Sequence, residues 1–181
     1  MTAKPFALFL CRRAETRLAE GSPRTWIYLE LCWRTVPRNV NVSAADVVLD
    51  TSAIFSLLRD EPGSDFVVAR LNEASAGKTV VVASFVSLTE IFSNTMRLAD
   101  RRRADELLAI VKSWPVEFIY PDEALCLAAG EIKALFRLSF ADAFVAATAR
   151  ETNAVLLHKD PEFESLRGRV RLKALPYKPR R

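Results

Sequence analysis

A short aliphatic run that ends in an aspartate constrains the fold of this chain more than any other stretch. The segment Val47–Leu49 is uninterrupted by polar residues, and Asp50 and the hydroxyl residues Thr51 and Ser52 follow it directly. Such a run is typical of a strand buried in a parallel sheet. Ligands of these sheets bind beyond the carboxyl ends of the strands. We therefore expect Asp50 either to cap the next helix or to bind a ligand, with Thr51 or Ser52 as an alternative N-cap.

Strand and helix patterns alternate along the rest of the chain. Further apolar runs predict strands at the following positions: Thr79–Ala83, Val116–Ile119, Ala154–Leu157 and, at an edge, Val170–Leu172. Segments with helical periodicity separate them, and Ser84 is expected to cap the helix after the second strand. The pattern predicts an α/β fold, in which helices cover both faces of a central, mainly parallel sheet of four to five strands and form a three-layer α/β/α sandwich.

Charge and composition divide the chain into three parts. Residues 1–45 carry seven basic and three acidic side chains, residues 46–166 carry 12 basic and 19 acidic ones, and residues 167–181 carry seven basic and no acidic ones. We predict an N-terminal extension outside the core fold over residues 1–45, a folded domain over 46–173, and a basic tail over 174–181. The basic ends either bind phosphate or are merely solvated.

Cysteine usage and hydropathy indicate the compartment. The three cysteines are odd in number and lack CxxC spacing, which disfavours a disulfide framework or a thiolate metal site and favours a reducing cytosol. The apolar segment Phe6–Cys11 is too short for a membrane span and is followed by two arginines, unlike a secretion signal. We expect a cytoplasmic protein with no membrane association.

Four acidic residues occupy positions that a parallel sheet would bring to one edge, at the carboxyl ends of its strands. Asp50, Glu90, Asp142 and Asp160 each follow a predicted strand or begin a helix, with spacings of 40, 52 and 18 residues. Clustered carboxylates repel one another unless a cation joins them, and an all-oxygen set suits Mg²⁺ or Mn²⁺. Such an ion polarises a phosphodiester and activates water. Singly, each acid also has a structural interpretation: a helix cap, a solvated helix face, a capping box with Ser139, or a turn before Pro161.

The segments VVLDTSAIFSLL, VSLTEI, LSFADAFVAATARE and LLHKDPEFESL follow one another along the chain. In this order they resemble the PIN-domain ribonucleases, and most of all the VapC-type toxins of type II toxin–antitoxin systems. The resemblance covers about residues 46–173 and implies Mg²⁺-dependent endonucleolytic cleavage of RNA, growth inhibition, a cognate VapB-like antitoxin and a homodimer.

The resemblance also assigns residues to roles. It implies that Asp50, Glu90, Asp142 and the more variable Asp160 are catalytic and bind the metal. The family's hydroxyl positions fall on Thr51 and Ser52, which are expected to contact substrate. His158 departs from the Thr or Ser usual there; it is either a substrate contact or a surface loop residue, and it makes Glu162 a substitute for Asp160. The alternatives are a non-catalytic RNA-binding or regulatory module and a phosphatase-like or DNA-directed nuclease.

Overall fold

The computed structural model describes residues 45–177, which form five strands and six α-helices. The predicted extension therefore lies outside the described residues except for Ala45, as does the chain beyond Tyr177. The elements follow one another as β1 Val47–Leu49, α1 Thr51–Leu58, α2 Ser64–Ser75, β2 Val81–Ser84, α3 Val86–Leu98, α4 Arg101–Lys112, β3 Glu117–Ile119, α5 Glu123–Leu135, α6 Phe140–Glu151, β4 Val155–His158, a 3₁₀ helix Pro161–Leu166 and β5 Arg171–Ala174.

All five strands are parallel, in the order β3-β2-β1-β4-β5. The central strand β1 pairs with β2 on one side and with β4 on the other, so that Val48 lies between Val82 and Leu156. The chain therefore runs outward from β1 to β3 and then returns to the opposite side of β1. This reversal makes the carboxyl ends of β1 and β4 the topological switch point, where α/β sheets bind ligands.

Helices cover both faces of the sheet, which confirms the predicted three-layer sandwich. One core packs Val48, Val82 and Leu156 against α5, α6 and the 3₁₀ helix. The other packs alternate strand residues, such as Leu49 and Ala83, against the first four helices. Because β1 is buried on both faces, its sequence lacks the alternation of polar and apolar residues that a half-exposed strand would show.

Two local expectations are wrong. The N-cap of α1 is Asp50 itself, not Thr51 or Ser52, because its carboxylate accepts the backbone N–H of Ser52. Ser84 is the buried last residue of β2, and Phe85 occupies the N-cap position of α3 without a side-chain bond.

The sheet also extends slightly beyond the predicted boundary at residue 173. Strand β5 pairs with β4 as far as Ala174, and Leu175 after it is buried in the core. The first residues assigned to the basic tail therefore belong to the fold. No helix within residues 45–177 is long and apolar enough to cross a membrane.

Candidate active site

Asp50 lies at the switch point of the sheet. It directly follows β1, its backbone N–H donates to the Leu157 carbonyl of β4 at 3.0 Å, and it is only 4% exposed. Its carboxylate also caps α1, so it lies near the positive end of that helix. The two interpretations of Asp50, a helix cap and a ligand-binding acid, are therefore compatible in the structure.

Ser52 holds the Asp50 carboxylate from the first turn of α1. Its backbone N–H donates to Asp50 Oδ2 at 3.0 Å, and its hydroxyl donates to the same oxygen. The Ser52 oxygen in turn accepts the backbone N–H of Lys159, just after β4, at 2.8 Å. Ser52 thus ties the loop after β4 to the carboxylate after β1, and its hydroxyl serves to position Asp50.

Thr51 holds the second acid. Glu90 lies on α3, and its Oε2 accepts the hydroxyl of Thr51 at 2.5 Å. The Thr51 oxygen is also 2.9 Å from the Ser87 hydroxyl, one turn before Glu90 on α3. Because Thr51 has a single hydroxyl proton, we assign Ser87 as donor to Thr51 and Thr51 as donor to Glu90. Thr51 is buried and its hydroxyl orients Glu90, while the substrate contact expected of Thr51 stays a prediction.

Asp142 lies on the first turn of α6. Ser139 caps this helix by accepting the Asp142 backbone N–H at 3.0 Å. A complete capping box would also have the Ser139 N–H donate to the Asp142 carboxylate. Within residues 45–177 this second hydrogen bond does not form. The half-buried Asp142 carboxylate is therefore not used to cap its own helix.

The three acids Asp50, Glu90 and Asp142 share one electrostatic environment. The pKa of Asp50 is raised to about 7, mainly by burial; the Ser52 hydrogen bonds lower it, and the charges of Asp142 and Glu90 raise it. Burial likewise raises the pKa of Glu90, which the Thr51 bond lowers and the Asp142 charge raises. Each pair among the three therefore interacts, as expected for carboxylates that face one region.

The donor chemistry fits a hard divalent cation. Asp50, Glu90 and Asp142 offer only oxygen atoms, and their mutual repulsion would be relieved by a positive ion. Among residues 45–177, however, no three acidic, histidine or cysteine side chains lie close enough to hold a metal ion as they stand. Ligation by this set would therefore require their side chains to draw closer together.

The structure places Asp160 differently from the other three acids. It is the N-cap of the 3₁₀ helix after β4, and its Oδ1 accepts the backbone N–H of Glu162 at 2.8 Å. Its charge acts on His158 and Tyr177, but it does not contribute to the pKa shifts of Asp50 and Glu90. The metal role of Asp160 remains a prediction, as does that of its substitute Glu162, which is exposed.

His158 is a core residue, so both expectations for it are wrong. The ring is completely buried, its Nδ1 lies 2.8 Å from the carbonyl oxygen of Asp160, and it packs edge-on against Phe163 at 5.3 Å. Burial lowers its pKa, which favours the neutral ring. His158 is the last residue of β4, and because its side chain has no exposed surface it cannot contact substrate in this structure.

Sequence reasoning missed the groups that position the acids. Ser87 was visible as a hydroxyl residue three positions before Glu90, which places both on one face of α3. Lys159 gave no comparable signal: its ammonium donates to Glu61 at 3.0 Å and to the Pro62 carbonyl at 3.2 Å, across about a hundred positions of sequence. Only the fold brings these loops together.

Comparison with known proteins identifies the fold independently. The model of the PIN domain family matches residues 47–169. No curated protein matches the chain.

Solved structures of toxin–antitoxin proteins are similar to the chain over most of its length. VapBC2 from Rickettsia felis, bound to a DNA fragment from its promoter, is 18% identical, with a TM-score of 0.59, and the match covers 72% of this chain and 98% of that one. DNA-bound VapBC from Salmonella typhimurium gives the same values. VapC20 from Mycobacterium tuberculosis, a sarcin–ricin loop cleaving toxin, is 25% identical, with a TM-score of 0.53 and coverage of 69% and 97%.

Proposed function

Because this chain belongs to the PIN-domain family, we propose that it is a metal-dependent endoribonuclease and the toxin of a type II toxin–antitoxin system. Its substrate is RNA, its metal is Mg²⁺ or Mn²⁺, and its activity inhibits growth. The observation that carries the proposal is the convergence of Asp50, Glu90 and Asp142, which interact in pairs at the carboxyl edge of the sheet.

The protein's own residues prepare a site for one or two cations. When bound, a divalent ion polarises the scissile phosphate and lowers the pKa of a water molecule that attacks it. Asp50, Glu90 and Asp142 would hold the metal. Ser52 and Thr51 orient two of these carboxylates through hydrogen bonds to Asp50 and Glu90, so that less conformational freedom is lost on metal binding.

The partner we propose is a VapB-like antitoxin that covers this site. The support is the similarity to VapBC complexes from two bacteria. A homodimer is a further part of the proposal. Large apolar side chains remain exposed on α5 and at the start of α6, namely Leu127, Leu135 and Phe140, as at many protein interfaces.

The test is cleavage of labelled RNA by the purified full chain. We expect cleavage with Mg²⁺ or Mn²⁺, none with EDTA, and none by Asp50→Asn or Asp142→Asn in either ion. Asparagine caps a helix about as well as aspartate, so Asp50→Asn removes the charge and keeps the cap. Asp122→Asn is the matched control, because Asp122 also caps a helix but lies outside the acidic cluster.

The same assay separates the alternatives. RNA binding without cleavage in every divalent ion would overturn the nuclease proposal and favour a regulatory module. Cleavage of DNA but not RNA would favour a DNA-directed nuclease, since metal-activated hydrolysis does not itself need the 2′-hydroxyl. Full RNA cleavage by Asp50→Asn would show that the acidic cluster is not the active site.

A further inference from the structure

We infer that the cleft beside Ser52 binds an unpaired nucleotide next to the scissile phosphate, with Phe55, Arg59 and Tyr177 as its contacts. The inference rests on the proposed function, because it assigns a substrate subsite to the same active site. It goes further by naming three residues outside the acidic cluster as the contacts of the bound nucleotide.

The cleft has the size of a small-molecule site. Its volume is about 690 Å³, within the range of about 300–1,000 Å³ that is usual for ligand pockets. Phe55 and Arg59 contribute from α1 and its end, Pro161 from the 3₁₀ helix, and Tyr177 from the segment after β5. Pro161, Tyr177 and the Arg59 guanidinium, which lies over the Phe55 ring, give it surfaces on which a base can stack.

One cation of the cleft is available for a phosphate. Lys159 and Glu61 also line the cleft, and they form an ion pair at 3.0 Å in which their opposite charges compensate each other. Arg59 has no acidic partner within residues 45–177, and its guanidinium lies over the Phe55 ring, 4.4 Å from the centroid. The ring therefore holds an exposed positive group at the cleft. Phosphate is the complementary ligand for that group.

The cleft is adjacent to the acidic cluster. Ser52 lines it, and the hydroxyl of the same residue donates to Asp50. A strand of RNA whose phosphate lies at Asp50 would therefore place a neighbouring nucleotide against Ser52 and the rings beyond it. A base-paired nucleotide could not enter, because its faces are stacked and its edge is occupied. The nucleotide bound in the cleft is therefore unpaired.

The test measures RNA binding separately from cleavage. The full chain carrying Asp142→Asn, which we expect not to cleave, is titrated with a short fluorescent single-stranded RNA and with an abasic oligomer of the same length. We expect the RNA to bind roughly ten-fold more tightly than the abasic oligomer, as base stacking on aromatic residues predicts. Adding Phe55→Leu or Tyr177→Leu should reduce this preference several-fold. Tyr177→Leu is the safer variant, because Tyr177 is exposed and Phe55 partly supports the core.

Arg59→Gln tests the phosphate contact. We expect the slope of log affinity against log salt to fall by about 0.7, the value for one phosphate contact on a single strand. Arg169→Gln is the matched control, because Arg169 also lies over an aromatic ring, Phe136, at 5.6 Å, but outside the cleft. Phe66→Leu, at a second exposed ring, is the control for the aromatic variants and should leave the base preference unchanged.

The outcomes distinguish this inference from the proposed function. If the wild-type chain cleaves RNA but the cleft variants keep the base preference and the salt slope, only the inference fails. If the base preference is present and depends on the cleft but no divalent ion supports cleavage, only the proposed function fails. Variants that weaken binding of an antitoxin peptide and leave RNA affinity unchanged would overturn the inference in favour of a protein-binding cleft.

Discussion

Thr51 Oγ1 lies 2.5 Å from Glu90 Oε2 and joins the start of α1 to the middle of α3. The two residues are 39 positions apart, on helices that follow different strands of the sheet. A hydroxyl that donates to a carboxylate orients it and favours its ionised form. The relationship makes Thr51 part of the framework that holds the acidic cluster.

Replacing Thr51 by valine should lower the catalytic activity more strongly than it lowers the stability of the fold. Valine keeps the shape but removes the proton donated to Glu90, and a hydrogen bond to a charged group contributes about 1.5–3 kcal/mol. We expect kcat/KM for RNA cleavage to fall at least about ten-fold. Thr148→Val is the control, because the buried Thr148 hydroxyl donates only to the Phe144 carbonyl of its own helix. Equal losses in the two variants would contradict the role of Thr51.

Asp50 should make the metal-free protein less stable as pH rises. Its pKa is about 7 in the folded chain and near 3.8 when unfolded, so folding takes up a proton between these values. The favourable contribution is complete below about pH 3.8 and is lost as pH rises through 7. In EDTA, Asp50→Asn should flatten the decrease in unfolding free energy between pH 4 and 7, measured by urea denaturation. A slope identical to that of the wild type would contradict the pKa assigned to Asp50.

The Lys159–Glu61 pair should stabilise the loop that carries the Ser52 contact. Both side chains are largely buried, at 7% and 14% exposure, and they join loops about a hundred positions apart. Lys159→Met should cost about 2–3 kcal/mol, because it leaves a carboxylate without its ammonium partner. Glu61→Gln in the same chain should recover part of that loss, which urea denaturation of the four proteins of a double-mutant cycle would measure. Additive losses would show that the pair is not coupled.

Two truncations should separate the roles of the basic C-terminus. Removal of residues 167–181 deletes β5 and the buried Val170 and Leu175, so we expect a strongly destabilised protein. Removal of residues 178–181 deletes three basic side chains and no part of the sheet. This shorter truncation should keep the melting temperature and weaken RNA binding with a smaller salt slope. Unchanged RNA affinity and salt slope would show that the tail is merely solvated and does not bind phosphate.

The apolar runs determined the sheet because a strand buried on both faces is predominantly apolar. For this reason Val47–Leu49 was recognisable as a buried strand of a parallel sheet, and the acid after it as a residue at the ligand-binding edge. The same reasoning failed for His158, because its neighbours in the sequence indicate a polar residue in a loop. Its ring is buried because Phe163 and the 3₁₀ helix fold over it, and no neighbouring residue in the sequence shows this.

The sequence by itself determined the order of strands and helices, the family, and the acids placed at strand ends, since these depend on short-range patterns and fixed positions along the chain. The tertiary structure decided which groups hold those acids. Ser52 bonds Asp50 and accepts the Lys159 N–H, and Thr51 bonds Glu90 and contacts the Ser87 hydroxyl. It also decided that Asp160 is used as a helix cap. Hydrogen bonds and charge interactions act over a few ångströms, and only folding brings residues from distant parts of the chain within that range.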